Sequence, residues 1–365
     1  MLLAKRGQGF PMTDTQFDRD IFDVPCDAKN AFVQILPMPF DATTSYRPGA
    51  AKGPEAVLAA SRQVDLCDVD VGSPHQVGIH LEGFSTEVIE RNNKARLAVQ
   101  RIREAKEDDS LPSKVDFDIV NLATQQNNLF VYDWATEVLQ KKQFPVVLGG
   151  DHSVPWGLIK ACAEAYGDEG FGILHIDAHC DLRNAYEGFA DSHASIMYNV
   201  QSKIPQVKKL TQVGIRDFCQ EELDVVTSSN GRIKTFFDKQ LRQFKLSGRF
   251  LELCPQIINT LPQNVYLSFD IDGLDPTLCP NTGTPVPGGL SFDEIIALME
   301  CLALSGRTIV GMDLCEVSPP PQSLSSEWGD AWDANVGARI LYKMIGFALI
   351  SQKIPGIQPP HLPAW

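Results

Sequence analysis

The stretch FGILHIDAHCD, residues 171–181, joins an apolar run to three polar or charged side chains spaced two positions apart. The run FGILHI predicts a β-strand. Because side chains alternate between the two faces of an extended segment, we expect Asp177, His179 and Asp181 to point the same way. In an open α/β sheet, ligands bind in the crevice beyond the carboxyl ends of the strands. The stretch therefore predicts an α/β fold with a functional site after this strand.

Two further stretches end in the same way. NVYLSFDIDGLDP, residues 264–276, places Asp270 and Asp272 on one face at the end of a strand-like run. FPVVLGGDHS, residues 144–153, places His152 just past another strand and a Gly-Gly turn. Since the ends of successive strands meet in one crevice, we expect these side chains to converge. The candidate metal ligands are His152, Asp177, His179, Asp181, Asp270 and Asp272.

The charge of this cluster predicts bound cations. Four carboxylates packed together would repel one another and raise each other's pKa unless positive charge were present. Two divalent ions offset the four negative charges, and a bridging hydroxide leaves the site about one charge negative, which suits a cationic substrate. Carboxylate oxygens with two imidazoles favour Mn²⁺, and Ni²⁺ remains an alternative. The cluster is typical of a two-metal hydrolase.

With the segment DLCEVSP, residues 313–319, these stretches resemble the ureohydrolase family, which includes arginases and agmatinases. The resemblance spans roughly residues 31 to 347. It implies an arginase-like, three-layer α/β fold with a central, mainly parallel sheet flanked by helices. It also implies hydrolysis of a guanidino group to urea and an amine.

The resemblance further assigns roles to individual residues. Asp177 and Asp270 would bridge the two ions, His152 and Asp181 would complete one site, and His179 and Asp272 would complete the other. Three residues are predicted to be catalytic: Asp181, His193 and Glu316. Asp181 would hydrogen-bond the nucleophile, Glu316 would hold the guanidinium group, and a mobile His193 would shuttle protons near neutral pH.

Some residues in these stretches have simpler interpretations. Glu316 could instead be a solvated or capping acid at the end of a strand, although its place after the buried run TIVGMDL favours a pocket role. His175 is expected to orient a ligand rather than to bind metal. Cys180 should point to the opposite face from its neighbours and pack in the interior.

The loop DLRNAYEGFADSHASIM, residues 181–197, bears on the substrate. It lacks the Asn and Ser pattern with which arginases hold the α-amino and α-carboxylate groups, and it resembles one branch of agmatinases. We therefore expect agmatine to be hydrolysed to putrescine. Guanidine hydrolase, guanidinobutyrase and formimidoylglutamase activities remain alternatives. A catalytically inactive, metal-free binding or regulatory relative is disfavoured because every ligand is intact.

Bulk properties limit the partners. The chain has 365 residues, a net charge of -14 and a pI near 4.9, which argues against nucleic-acid binding. The sequence contains no run of about eighteen apolar residues, the length that a membrane-spanning helix needs. Nine cysteines without CxxC pairs favour a reducing cytoplasm. The family resemblance suggests a homo-oligomer, a trimer or a hexamer.

We expect a single catalytic domain at residues 31–350, preceded by an arm at 1–30 and followed by a Pro-rich tail at 351–365. Residues 82–142 predict two helices separated by a break at SLPSK. Residues 220–262 predict one or two added surface helices.

For four aromatic or charged residues near the expected site, the sequence allows either a role in the pocket or a role in packing or a subunit contact. Tyr46 and Arg47 could reach the pocket or a neighbouring subunit, with equal weight. Trp328 and Trp332 follow Glu316 in the sequence, and packing or a subunit interface is favoured over a pocket role.

Overall fold

The computed structural model describes residues 20–320 and 331–362, in which eight strands form one sheet. The strands are β1 (Val33–Met38), β2 (Ile79–Leu81), β3 (Phe144–Gly149), β4 (Phe171–Ile176), β5 (Val207–Ile215), β6 (Ile233–Phe237), β7 (Asn264–Asp270) and β8 (Thr308–Cys315). Their order is β2-β1-β3-β8-β7-β4-β5-β6, and every neighbouring pair is parallel. All carboxyl ends therefore lie along one edge of the sheet.

Helices cover both faces of this sheet. They are α1 (Gly53–Ser61), α2 (Thr86–Glu107), α3 (Lys114–Gln140), α4 (Trp156–Tyr166), α5 (Ile196–Lys203), α6 (Gln220–Ser228), α7 (Asp238–Leu246), α8 (Phe250–Ile258), α9 (Phe292–Leu304) and α10 (Trp332–Ser351). One apolar core lies under α1 and α7 to α10, and the other lies under α2 to α6. The predicted three-layer α/β fold is confirmed, and the sheet is parallel throughout.

Successive side chains along a strand point to opposite faces of the sheet, so one strand can contribute apolar residues to both cores. In β3, Val146 and Leu148 face one core and Val147 faces the other. In β4, Ile173 and Leu174 divide in the same way. A parallel sheet covered on both faces requires such strands, because neither face is exposed to water.

The helix boundaries follow local capping chemistry. The Ser85 hydroxyl accepts a hydrogen bond from the amide of Val88 at the start of α2. The Ser113 hydroxyl, within the predicted SLPSK break, accepts from the amide of Val115 at the start of α3. Such side chains satisfy main-chain N–H groups that lack partners in the first helical turn. The two helices predicted in residues 82–142 are confirmed.

The sequence interpretation was incomplete at the two sheet edges. Residues 220–262 contain the helices α6, α7 and α8, but also the edge strand β6, which we did not predict. The other edge strand, β2, spans only three residues, too short to leave a clear pattern.

Residues 1–19 of the expected arm lie outside the described residues, whereas Phe22 is buried against Tyr342 with ring centroids 4.7 Å apart. Among the described helices, none is long and apolar enough to cross a bilayer.

Candidate metal centre

Four neighbouring strands place the candidate ligands along one edge of the sheet. In the order β3-β8-β7-β4, the ends of these strands carry His152, Glu316, Asp270 and Asp177. Each of these residues is at most 3% exposed. The predicted crevice therefore lies at the centre of the sheet, where four parallel strands end side by side.

The first donor group surrounds the ring of His152. Its Nδ1 atom lies 3.2 Å from Asp177 Oδ2, 3.2 Å from Asp181 Oδ2 and 3.4 Å from Asp270 Oδ2. The other ring nitrogen, Nε2, lies 2.9 Å from the hydroxyl of Ser268. One nitrogen and three carboxylate oxygens thus converge on a buried point.

The second donor group surrounds the ring of His179. Its Nδ1 atom lies 3.1 Å from Asp272 Oδ2 and 3.4 Å from Asp177 Oδ1. Asp177 therefore contributes Oδ2 to the first group and Oδ1 to the second, the arrangement that a bridging carboxylate requires. Asp270 faces the first group through Oδ2, while its Oδ1 accepts a hydrogen bond of 2.9 Å from the amide of Asp272.

Our reason for the convergence of Asp177, His179 and Asp181 was wrong. Strand β4 ends at Ile176, so these residues do not belong to one extended segment. They lie in a loop in which Asp181 adopts a left-handed conformation, with φ of 54°. The loop sends His179 to one donor group and Asp181 to the other, with Asp177 between them.

The electrostatics of the six donors fit two divalent cations. Burial, followed by the charges of Asp272 and Asp177, raises the pKa of Asp270 well above its usual range. Burial and the charge of Asp177 raise the pKa of Asp181 to about 6. Within residues 20–320 and 331–362, the ion pairs of these four aspartates all involve histidine. These aspartates therefore have no lysine or arginine partner among the described residues. Carboxylate oxygens and imidazole nitrogens in this arrangement are typical ligands of divalent ions.

Side chains behind the donors hold them in place. His175 Nε2 lies 2.8 Å from Asp177 Oδ2, and the Gln212 amide donates to His175 Nδ1 at 3.1 Å. These contacts fit an orienting role for His175. Behind His152, the Ser268 hydroxyl donates to Asp313 Oδ1 at 3.2 Å. The side chain of Cys180 is buried in the apolar core.

Glu316 combines burial with one free oxygen. Its Oε1 accepts a hydrogen bond of 3.0 Å from the amide of His152, whereas Oε2 is buried with no partner among the described residues. Burial and the nearby Asp270 and Asp151 raise its pKa well above the usual range. A φ of 63° turns the backbone at this position. An unpartnered buried carboxylate oxygen is costly, so a cationic ligand is the natural partner.

His193 lies on the other side of the crevice, in a short turn before α5. Its Nδ1 is 3.4 Å from the hydroxyl of Thr43, and its Nε2 is 3.4 Å from the hydroxyl of Ser45. The ring of Tyr186 meets it edge-on, with centroids 6.0 Å apart. Burial, followed by the charge of His179, lowers the pKa of His193 to about 3, so the ring is neutral here.

A cleft of about 470 Å³ leads from solvent to this centre. Its inner end is lined by His179, Asp181 and His193, and its walls include Tyr46 and Arg47. The structure thus places Tyr46 and Arg47 at the cleft, one of the two locations left open by the sequence.

The charged groups of the cleft differ in their pairing. The Arg47 guanidinium donates to the carbonyl oxygen of Pro280 at 3.2 Å. Arg183 lies over the ring of Tyr186, 4.8 Å from its centroid, and its Nε is 3.8 Å from a carboxylate oxygen of Glu222. Asp217, in contrast, is exposed on the cleft wall.

The loop at residues 273–289 forms another wall and is anchored at both ends. At its base, Arg216 donates to the carbonyl oxygens of Asp272, Leu274 and Val286. Farther along the loop, Asp333 accepts two hydrogen bonds from Asn281. The sequence identified the loop but not these anchors.

Of the two tryptophans that follow Glu316 in the sequence, Trp332 has a defined contact. The indole of Trp332 donates to the carbonyl oxygen of Thr277 at 2.9 Å, although the residue is 53% exposed. This contact ties the first turn of α10 to the wall of the cleft. Trp328 lies outside the described residues.

Comparisons with known proteins agree with this geometry. A family model described as the arginase family matches residues 31–346. An N(1)-aminopropylagmatine ureohydrolase of Thermus thermophilus is 33% identical over 295 residues, which cover 80% of this chain and 85% of that protein. An agmatinase of Halalkalibacterium halodurans is 29% identical over 290 residues, covering 78% and 83%.

Solved structures share the fold at lower identity. The agmatine ureohydrolase of Thermoplasma volcanium superposes with a TM-score of 0.68 at 21% identity, covering 92% of this chain and 96% of the other. An arginase from Medicago truncatula has a TM-score of 0.61 at 22% identity, covering 87% and 88%. These likenesses show the same architecture around the central sheet.

Proposed function

Because the chain belongs to the arginase family, we propose that it hydrolyses the guanidino group of a small cationic amine, most simply agmatine, to urea and putrescine. One observation carries this proposal. The six donors form two groups that share Asp177, and Glu316, which has one unpartnered oxygen, is hydrogen-bonded to the amide of His152 in the first group. A two-ion centre beside a buried carboxylate suits a reaction in which water attacks a bound guanidinium carbon.

The donor groups define how the ions would be held. His152, Asp181 and Asp270 would hold one ion, His179 and Asp272 the other, with Asp177 between them; the family resemblance adds Asp270 as a second bridge. When bound, two divalent ions lower the pKa of water and so supply a nucleophile at neutral pH. We propose Mn²⁺, because four of the six donors are carboxylates, and retain Ni²⁺ as the alternative.

Three side chains would handle the substrate and the protons. Glu316 Oε2 would accept hydrogen bonds from the guanidinium nitrogens, while Oε1 stays anchored on the amide of His152. Asp181, at the inner end of the cleft, would hydrogen-bond the nucleophile and pass its proton on. His193 would exchange that proton with solvent, which requires its pKa to rise from the low value of the buried ring when the cleft opens or binds substrate.

The cleft supports a substrate with an amine at its far end. Arg47 and Arg183 line it, but both already have partners, whereas the carboxylate of Asp217 is exposed. Among the described residues that line the cleft, an α-carboxylate would thus find no unpaired cation, and burying it without one is costly. Arginine should consequently be a poor substrate.

N(1)-aminopropylagmatine is a second candidate substrate. The relative named for this compound is 33% identical to the chain, and a cleft of about 470 Å³ has room for a chain longer than agmatine. Both compounds present the same guanidinium group to Glu316, and N(1)-aminopropylagmatine carries an additional aminopropyl group, with a second amine nitrogen, at its other end.

A substrate panel tests the proposal. Urea release would be measured with agmatine, N(1)-aminopropylagmatine, arginine, guanidinobutyrate and guanidine, and formamide release with formimidoylglutamate, using protein loaded separately with Mn²⁺ and Ni²⁺. We expect the two amines to give the highest kcat/KM, and Asp177→Asn protein to be inactive as a control for contaminants. Equal efficiency on arginine and agmatine would refute the specificity argument. Activity on guanidine alone, or on a carboxylate substrate alone, would move the assignment to that compound. No activity in a fully metal-loaded protein would favour a binding or regulatory relative.

The remaining sequence predictions concern the setting of the protein. We propose a cytoplasmic protein, supported by nine free cysteines. We also propose a homo-oligomer, a trimer or a hexamer, supported by three exposed apolar side chains at seven-residue intervals on α3, namely Val115, Leu122 and Leu129. The catalytic domain is proposed at residues 31–350, with the arm and the tail outside it.

A further inference from the structure

Asp151 lies next to the ligand His152 but turns away from the metal centre. Its Oδ2 accepts hydrogen bonds from the amide of Thr43 at 3.0 Å and from the hydroxyl of Thr43 at 2.7 Å. Its Oδ1 accepts from the amide and the hydroxyl of Ser153. Four donors therefore occupy the four lone-pair positions of one buried carboxylate.

The hydroxyl of Thr43 is committed by this contact. A threonine hydroxyl has a single proton, and here it points to Asp151. The oxygen can then only accept from its other neighbours. It accepts from the main-chain amide of His193 at 3.0 Å, and it lies 3.4 Å from His193 Nδ1. If Nδ1 carried no proton, its lone pair would face a lone pair of the Thr43 hydroxyl oxygen, and the two would repel. If Nδ1 is protonated, it donates a hydrogen bond to that oxygen.

We propose that the pair Asp151 and Thr43 fixes His193 as the neutral Nδ1–H tautomer. The lone pair of Nε2 is then directed to the hydroxyl of Ser45, which lines the cleft and can donate to it. The neutral ring follows from its burial. Thr43 is a positioning residue in this scheme: it acts through His193 and reaches it from a loop 150 residues away in the sequence.

The consequence concerns which nitrogen can take up a proton. A neutral imidazole accepts only at its unprotonated nitrogen, so the tautomer decides whether that nitrogen faces the cleft. Fixing the proton on Nδ1 leaves Nε2 available on the side of Ser45. The use of this nitrogen in turnover rests on the proposed function, whereas the tautomer itself does not.

The tautomer can be measured directly. The full chain would be labelled with ¹⁵N at histidine and kept free of paramagnetic metal, and two-bond ¹H–¹⁵N correlations recorded near pH 7. His193→Asn protein identifies the signals of this residue by their loss. We expect Nδ1 to show a protonated nitrogen and Nε2 an unprotonated one. The opposite assignment in the unmodified chain would overturn the proposal, whatever the substrate is.

Two substitutions separate positioning from simple packing. Thr43→Val keeps the shape but removes the acceptor, so the Nε2–H tautomer should gain population. The kcat on the best substrate should fall roughly ten- to a thousandfold with little change in KM. Thr43→Ser keeps the hydroxyl and should restore both the tautomer and kcat. Unchanged tautomer populations in Thr43→Val, or equal effects of valine and serine in folded protein with full metal content, would contradict the proposal.

Discussion

The main-chain amide of His152 donates a hydrogen bond of 3.0 Å to Glu316 Oε1. This bond joins the segment after β3 to the segment after β8, two strands that are neighbours in the sheet. A single hydrogen bond thus links His152, a member of the first donor group, to Glu316, the acid proposed to hold the substrate. Because Oε1 is fixed in this way, Oε2 is the oxygen that remains available to a guanidinium group.

The shared position of Asp177 predicts unequal metal losses among the aspartates. Asp177→Asn should lower the content of both ions, whereas Asp272→Asn should leave about one ion per chain, because among the described residues only Asp177 faces both donor groups. Elemental analysis after dialysis measures both contents, with Asp118→Asn on an exposed face of α3 as the matched control. Full metal content in Asp177→Asn protein would sink the assignment.

Glu316→Gln should abolish guanidino hydrolysis while both ions stay bound. The substitution removes the charge that holds the guanidinium but keeps an acceptor for the amide of His152. Since burial and neighbouring acids raise the pKa of Glu316, losing the ionisable group should also leave the free energy of unfolding equal or higher.

Denaturant unfolding and metal analysis of Glu316→Gln would be compared with Glu300→Gln, an exposed position on α9. Substantial residual turnover, or loss of the ions, would assign Glu316 a different role.

The sequence located the strand ends correctly but not the contacts between distant loops. Asp270 and Glu316 follow apolar runs that only a buried strand explains, and such runs are local patterns. The contact of Thr43 with His193 spans 150 residues and depends on two loop conformations, which no local pattern encodes. The left-handed turn at Asp181 was missed for a related reason, because an aspartate in that conformation looks no different in sequence from one in a strand.

His193→Ala should retain both ions and slow turnover by roughly ten- to ten-thousandfold, because the substitution removes general acid–base assistance but no metal ligand. The ring lies near Thr43, Ser45 and Tyr186, and no contact among the described residues joins it to either donor group. Steady-state kinetics with parallel metal analysis tests this, using His361→Ala at an exposed position as the control. A variant that lost its metal would show His193 to be a ligand.

Metal removal should make stability depend on pH. Burial raises the pKa of Asp270 and Glu316 well above the usual range. Burial alone would lower the pKa of His152 and His179, but their aspartate partners outweigh it and raise both well above the usual value. Above about pH 6.5 these groups bind more protons in the native state than in the unfolded chain.

The free energy of unfolding of the metal-free protein should therefore be lower at about pH 8.5 than at about pH 6.5, because above about pH 6.5 the native state holds protons that the unfolded chain has already released. The lowered pKa values of Asp177 and His193 affect the stability only below about pH 6.5, because the pKa values of these groups in the unfolded chain are about 6.5 or lower. Mn²⁺ takes the place of those protons and binds more tightly as they leave, so the loss should be smaller or reversed in loaded protein. Thermal unfolding at the two pH values, with chelator and with Mn²⁺, measures this; equal pH dependence in both forms would show that the ions do not bind at these groups.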